Sequence, residues 1–147
     1  ASIGQSVVQI TPLQLARSYA VFANGGWLVT PHFAKSDKDW RLPPYKTKVS
    51  MKPSTLKTIR EGLRKVVSEG TGAALNGPEI PPAAGKTGTA EDSTGGPDHA
   101  WFGCYAPYPN GEIVVVAFAQ NTPGGGSVHA LPMAKKVLAE WEKVRKR

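Results

Sequence analysis

An α+β fold built on three consecutive antiparallel strands is predicted by three features of the 147-residue sequence. Two stretches of helical apolar period, one opened by Thr11-Pro12-Leu13-Gln14 and one running from about Ser54, come before any strand pattern. Segments 84–90, 100–106 and 112–120 have strand character, and the last two flank Pro107-Tyr108-Pro109-Asn110-Gly111, whose Asn-Gly is a hairpin signal. A further helical pattern closes the chain, so helices pack on a sheet instead of alternating with its strands.

Taken in order, Thr11 is placed to cap the first helix. Pro12 stands at the first helical position and Gln14 three residues after the cap, the arrangement of a capping box. Leu13, Ala16, Ala20 and Ala23, with Tyr19 and Phe22 alongside, form a stripe of helical period, and Asn24-Gly25-Gly26 supplies the stop. Between Trp27 and Val49, Pro31, Pro43 and Pro44 forbid a long helix and leave short extended pieces and surface loops. The second helix is expected to be capped at Ser54 or close to it. Leu56, Ile59, Leu63, Val66 and Val67 share one face, with Lys57, Arg60, Glu61, Arg64 and Lys65 opposite, and Gly70 and Gly72 end it.

A turn-rich stretch from Asn76-Gly77-Pro78 to Pro81-Pro82 leads into the first strand, and the loop Ser93-Thr94-Gly95-Gly96-Pro97 separates that strand from the second. The strand over 112–120 is apolar on both faces, hence central or well covered. After a loop from Thr122 to Ser127, the final helix runs from about Ala130 to Arg147. It is expected to turn Leu131, Ala134, Val137, Leu138 and Trp141 inward and its Lys and Arg residues outward.

Composition narrows the function classes. With 18 Lys+Arg against 11 Asp+Glu the net charge is +7, but the cations are mixed with Asp37, Asp39, Glu61, Glu140 and Glu142 and no aromatic-basic signature accompanies them. They read as solvated faces and not as a nucleic-acid surface. The longest apolar run, 113–119, has strand length and is far too short to span a bilayer. Cys104 is the only cysteine, and His32, His99 and His129 lack metal-ligand spacing, so no metal site is expected. The chain starts without Met or a signal sequence, as an excised or processed piece would.

The chemistry centres on Gly85-Lys86-Thr87-Gly88-Thr89. Its first three residues match the end of a phosphate-binding P-loop, but the required earlier Gly would fall at Ile80. The other setting for Lys-Thr-Gly is the active-site serine family of penicillin-binding proteins and β-lactamases, where S-x-x-K and S-x-N accompany it.

The surrounding phrases sharpen that match. Ser2-Ile3-Gly4-Gln5, Thr11-Pro12-Leu13-Gln14-Leu15-Ala16, Ala23-Asn24-Gly25-Gly26, Ala84 to Glu91, Asp98-His99-Ala100-Trp101-Phe102 and Tyr105-Ala106-Pro107 occur in that order. Together they resemble the C-terminal half of the transpeptidase domain of class B penicillin-binding proteins, most like the elongation-type penicillin-binding protein 2 group. The resemblance covers nearly the whole chain and is weakest between Lys35 and Lys52. It implies the penicillin-binding protein/serine β-lactamase-like fold, with residues 84–90 as the edge strand lining the active site. Residues 1–147 would then be the C-terminal portion of an incomplete domain, with two further strands lying in the upstream part.

It also implies a reaction. A serine nucleophile cleaves a stem peptide ending in D-alanyl-D-alanine, and an amine of a neighbouring stem attacks the acyl-enzyme, cross-linking peptidoglycan. By resemblance Lys86 holds an ammonium beside the serine elements, and the Thr87 and Thr89 hydroxyls bind the terminal carboxylate. The Thr89 N–H is one of two oxyanion-hole donors. Gly88 keeps the cleft wall bare, so that substrate can pair with the strand. β-Lactams would acylate the same site; no cofactor is implied. An elongation glycosyltransferase is the expected partner, at the periplasmic side of the cytoplasmic membrane, where an N-terminal helix absent from this chain would hold the parent.

No S-x-N occurs in the chain. Ser54-Thr55-Leu56-Lys57 fits S-x-x-K but follows the Thr11 helix instead of preceding it, and reads as a helix cap with a surface charge. The nucleophile is therefore expected on the N-terminal portion of the same protein. A non-catalytic module binding wall polymer or a partner protein, and a β-lactamase, are the alternatives. His99 is read as a strand-end hydrogen-bonding residue, without acid-base work. Trp101, Phe102 and Tyr105 are read as packing residues, Cys104 as a small buried one, and the loops 91–97 and 121–126 as rims of the cleft.

Overall fold

The computed structural model describes residues 9–33, 45–92 and 94–147. The expectations resting on Ser2-Ile3-Gly4-Gln5, on Lys35, Asp37, Asp39, Pro43 and Pro44, and on Ser93 lie outside the described residues.

Helix α1 spans Pro12–Ala23, and its capping box is formed: Gln14 N–H donates to Thr11 Oγ1 at 3.2 Å and Thr11 N–H to Gln14 Oε1 at 2.8 Å. Leu13 is exposed, so the apolar stripe begins later than its period suggested, and Val21 and Ala23 are the buried members. Strands β1 (Trp27–Val29) and β2 (Lys46–Lys48) pair into a small antiparallel sheet from the expected extended pieces. The main sheet has the order β3-β4-β5, all antiparallel, with β3 Ala84–Ala90, β4 His99–Ala106 and β5 Ile113–Ala119.

Helix α2 (Pro53–Glu69) starts two residues earlier than a Ser54 cap would place it. Pro53 occupies the first helical position and Lys52 is the cap residue, with no side-chain cap bond. Ser54 is therefore not the cap; it lies inside the first turn, where its carbonyl accepts from the Thr58 hydroxyl. Arg60 and Arg64 are half-buried and not on the solvent side. Arg64 Nη1 donates to the Ala83 carbonyl at 2.8 Å, tying α2 to the start of β3, while Arg60 approaches the buried Tyr105 hydroxyl. Long arginine stems bury their methylenes along apolar surface, which a simple polar-or-apolar pattern does not register.

The β4–β5 link covers residues 107–112 and is closed by Glu112 N–H to the Ala106 carbonyl at 2.8 Å. The expected hairpin forms around Asn110-Gly111, although neither residue has positive φ, so the link is wider than a two-residue turn. Gly111 instead lets the loop dock on α1. Its N–H reaches the Ala23 carbonyl at 3.0 Å, and a Cβ there would meet Ala23 Cβ at 2.7 Å and Tyr105 Cδ2 at 2.8 Å.

Both faces of the sheet are covered. Phe102, Cys104, Ala100 and Ala106 of β4 point to the side of α4 (Ala130–Arg145), where they pack with Leu131, Ala134, Leu138, Val67 and Leu75. Tyr105 points to the side of α1 and packs with Ala23, Tyr19 and Phe22. On α4 the buried stripe is Leu131, Ala134, Leu138 and Glu142; Val137 is exposed and Trp141 half-buried, against expectation. Glu142 is tolerated inside because Arg145 and Lys146 reach it at 2.8 and 3.0 Å, and Arg145 also clasps Glu112 of the hairpin link at 3.2 Å. The hydrogen bond from Lys146, then that from Arg145, holds the Glu142 carboxyl below its usual range.

The Thr122–Ser127 loop contains the start of a short helix, α3 (Gly125–Val128), entered through Gly124 and Gly125 at φ 99 and 71. Those left-handed angles exclude most side chains.

Cys104 is fully buried opposite Gly85, and burial pushes its thiol up to about 12 from an ordinary 9.0. The unfolded thiol ionises first as pH rises. Its contribution to stability is thus complete below pH 9 and lost as pH climbs towards 12. Urea melts should show a fall in stability across that window that Cys104→Ala reduces. A thiol reagent should modify the protein at pH 8 only after unfolding; modification of the folded form would contradict the burial.

Candidate active site

Strand β3 carries Lys86-Thr87-Gly88-Thr89. Its register opposite β4 sets which way each side chain projects: Lys86 faces Gly103, Thr87 faces Phe102, Gly88 faces Trp101 and Thr89 faces Ala100. Directly opposed residues share a face of the sheet. Lys86 and Gly88 therefore belong to the α1 side, with Trp101 and His99, whereas Thr87 and Thr89 belong to the α4 side. The sequence placed all four at one site; the fold brings them to one strand edge but on two faces of it.

That edge is open. Apart from β4, β3 pairs with no strand among the described residues. In an antiparallel ladder alternate residues turn both main-chain groups away from the partner. Thr87 and Thr89 share this phase, and the Thr87 carbonyl accepts from Lys86 Nζ at 2.8 Å, which puts it at the accessible edge. A chain lying along β3 would thus find an ammonium to one side, hydroxyls to the other, and outward main-chain groups between them.

Each side chain is positioned by its neighbours. The Thr87 hydroxyl pairs with that of Thr71 at 2.8 Å, and Thr71 sits in the turn that ends α2. Sequence reasoning missed Thr71: it is 16 positions away and belongs to no motif, although the helix stop at Gly70 and Gly72 brackets it. Thr89 is exposed, and α3 lies against it so closely that a Cβ on Gly125 would collide with its hydroxyl. A Cβ on Gly126 would lie on the Trp101 carbonyl and 2.9 Å from the Gly88 nitrogen. The 121–126 loop thus leads into a helix that supports β3 and β4 on the face of the Thr87 and Thr89 hydroxyls. Gly88 itself is confined on the other face, where a Cβ would be 3.3 Å from Trp101 Cβ.

At the far end of β3, Asp92 accepts from Thr94 N–H at 3.0 Å and from its hydroxyl at 2.7 Å, and Gly95 N–H returns to the Asp92 carbonyl. The Thr94 N–H, then its hydroxyl, holds the Asp92 carboxyl below its ordinary range. His99 Nδ1 accepts from Asn121 N–H at 3.1 Å, the strand-end role expected of it, and its ring meets Phe118 edge-on at 5.8 Å. Trp101 stacks on Phe118 at 4.3 Å, while Phe102 and Tyr105 are fully buried.

Ser54 is far from all of this. Thr71, just past the C-terminal end of α2, touches Thr87, whereas Ser54 is in the first turn, roughly 20 Å of helix rise away. Its neighbours Pro53, Leu56 and Lys57 line a groove with Tyr108 and Pro109 at the hairpin end of the sheet, and Lys57 pairs with Glu61 at 3.8 Å. Among the described residues no three His, Cys, Asp or Glu side chains gather as a metal site would need, and no helix is long and apolar enough to cross a membrane.

Comparison with known proteins agrees with this geometry. Residues 1–139 match the family described as the penicillin binding protein transpeptidase domain. The peptidoglycan D,D-transpeptidase MrdA of Haemophilus influenzae is 34% identical over 92% of this chain and 24% of its own length. The structure of Pseudomonas aeruginosa penicillin-binding protein 2 in complex with WCK 5153 superposes with a TM-score of 0.79 at 34% identity, over 95% of this chain and 31% of that one. A chain of a peptidoglycan synthase complex that coordinates polymerization and crosslinking gives a TM-score of 0.75 at 40% identity, over 95% of this chain and 25% of that one. The chain thus spans about a quarter of the length of the curated relative. An open-edged Lys-Thr-Gly-Thr strand in this three-stranded setting, matched over nearly all of its length, belongs to the transpeptidase domain of the class B, penicillin-binding protein 2 type of penicillin-binding proteins.

Proposed function

We propose that this chain is the Lys-Thr-Gly half of a peptidoglycan D,D-transpeptidase that works through a serine acyl-enzyme. The observation that carries the reading is the open edge of β3, with Thr87 and Thr89 in the outward main-chain phase and Lys86 beside them. A D-alanyl-D-alanine stem adds there as an extra strand, held by main-chain bonds. The Thr87 and Thr89 hydroxyls take its terminal carboxylate, and the Lys86 ammonium favours that anion and steadies proton transfer. The Thr89 N–H polarises the scissile carbonyl; one such donor is typically worth about 2.7–4 kcal/mol in the transition state. The serine adds to that carbonyl, the C–N bond to the last D-alanine breaks, and the departing amine takes up a proton. An amine of a second stem then attacks the ester and restores the serine.

Residues 1–147 in this reading are the C-terminal portion of the domain, and the nucleophile with its S-x-x-K and S-x-N elements belongs to the upstream portion of the same protein. The position of Ser54 at the remote end of α2 supports this, since no serine of the described S-x-x-K match stands near Lys86. The likeness to a D,D-transpeptidase favours synthesis over the β-lactamase and non-catalytic alternatives. The coordination of polymerization and crosslinking in the similar synthase complex supports a glycosyltransferase partner, and the match to the penicillin binding protein transpeptidase domain supports β-lactams as ligands. Such a parent works at the periplasmic side of the cytoplasmic membrane.

Fluorescent penicillin tests the assignment. The assembled protein should label covalently, Lys86→Ala should abolish labelling, Ser54→Ala should leave it unchanged, and the chain by itself should not label. Full labelling of Lys86→Ala would sink the site; labelling of the chain by itself at Ser54 would move the nucleophile into it. Thr71→Val removes one hydroxyl while keeping the shape, and should slow acylation roughly three- to tenfold, the equivalent of one hydrogen bond. An unchanged rate would remove Thr71 from the site.

A further inference from the structure

The face of β3 that bears Lys86 is shaped by a residue from the other end of the chain. Lys86 lies directly opposite Gly103 on β4, and the Cβ positions of such a pair are about 4.5–5.5 Å apart on one face. The space a side chain would occupy at Gly103 is filled by the ring of Tyr19 from α1. A Cβ there would stand 2.6 Å from Tyr19 Cζ and 3.0 Å from its hydroxyl oxygen. The phenol consequently lies on the neighbouring strand, level with the root of the Lys86 side chain.

Tyr19 is held there from several directions. Helix α1 is fixed at its start by the capping box and at its end by Gly111 N–H on the Ala23 carbonyl. The ring meets Phe22 edge-on at 6.4 Å and packs against the buried group of Ala23, Ala84 and Tyr105. Burial, with a smaller contribution from Cys104, keeps the phenol well above its ordinary ionisation range. It stays neutral, so it is a wall and not a counter-ion for the ammonium.

We infer that Tyr19 is a positioning residue for Lys86: its ring, seated over Gly103, bars the lysine stem from lying down across β4 and leaves the ammonium the open edge of β3. There Lys86 Nζ meets the Thr87 carbonyl at 2.8 Å. Gly103 is glycine on this account because any side chain would evict the ring. The inference rests on the transpeptidase reading, in which the useful place for that ammonium is the edge where substrate lies.

The test uses the full-length protein and the rate of acylation by fluorescent penicillin, with a thermal melt of each variant. Tyr19→Ala should slow acylation about tenfold, and Tyr19→Phe, which keeps the ring, should restore most of that loss. Tyr19→Leu, which keeps apolar volume without a planar ring, should remain slow while melting close to the wild type. This guards against an Ala variant that fails to fold. Combined with Lys86→Arg, the Tyr19→Leu effect should fall short of the product of the separate losses by at least about fivefold, because both changes act on one ammonium. Strict multiplication of the two losses, or a Leu variant that acylates at the wild-type rate, overturns the inference. Failure of the wild-type protein to label at all would instead remove the transpeptidase reading beneath it.

Discussion

Strand β4 pairs along both of its edges and is covered on both of its faces, and most of what the molecule can do follows from how little freedom that leaves. Ala100, Phe102, Cys104, Tyr105 and Ala106 are all fully buried. Close packing on both sides means that a change in one layer is felt in the next. The α4 side is filled by aliphatic and aromatic side chains, whereas the α1 side at Gly103 is filled by a ring from another helix. Two glycines, Gly85 and Gly103, sit where β3 and β4 must allow a neighbour in: a Cβ on Gly85 would be 2.7 Å from Cys104 Cβ. The reactive strand is thereby registered against a rigid one, and its functional groups inherit the position.

An edge strand with one partner is an awkward place for precise chemistry, since half of its main chain has nothing to hold it. Here the deficit is met by contacts that are not strand pairing. Arg64 from α2 holds the Ala83 carbonyl, Thr71 holds the Thr87 hydroxyl, and α3 presses on Gly88 and Thr89 from behind. The free edge is thus braced along its length while its outward main-chain groups stay available. The basic charge plays little part in this; Lys86 is the cation to which the proposed chemistry gives a role, and other cations such as Lys57, Lys135 and Lys143 are taken up by Glu61, Glu79 and Glu140.

The parts legible in the sequence were those governed by local rules. Strand limits at 84–90, the capped start of α1 and the Lys-Thr-Gly phrase each depend on a few adjacent residues, and the structure places them as read. The misreadings arose where a distant contact outweighed a local preference. Pro53 took the helix start from Ser54, Arg60 and Arg64 turned inward to Tyr105 and Ala83, and Glu142 displaced Val137 from the buried stripe because two cations neutralise it. The hairpin signalled by Asn110-Gly111 did form, but with Gly111 docked on Ala23 instead of turning the chain with positive φ. The division of Lys86 from Thr87 and Thr89 between two faces was latent in the alternation of a strand. The Thr71 contact was not, because nothing in the spacing brings residue 71 to residue 87.

The close approach of Gly125 and Gly126 to the back of β3 separates sensitivity from contact. A side chain at Gly126 would press on the Gly88 main chain and the Trp101 carbonyl, away from the open edge itself. The fine geometry of the edge can therefore be retuned, or ruined, by a substitution that alters no residue of the Lys-Thr-Gly-Thr phrase. A map of mutational tolerance for this domain has its narrowest margins behind the working surface as well as on it.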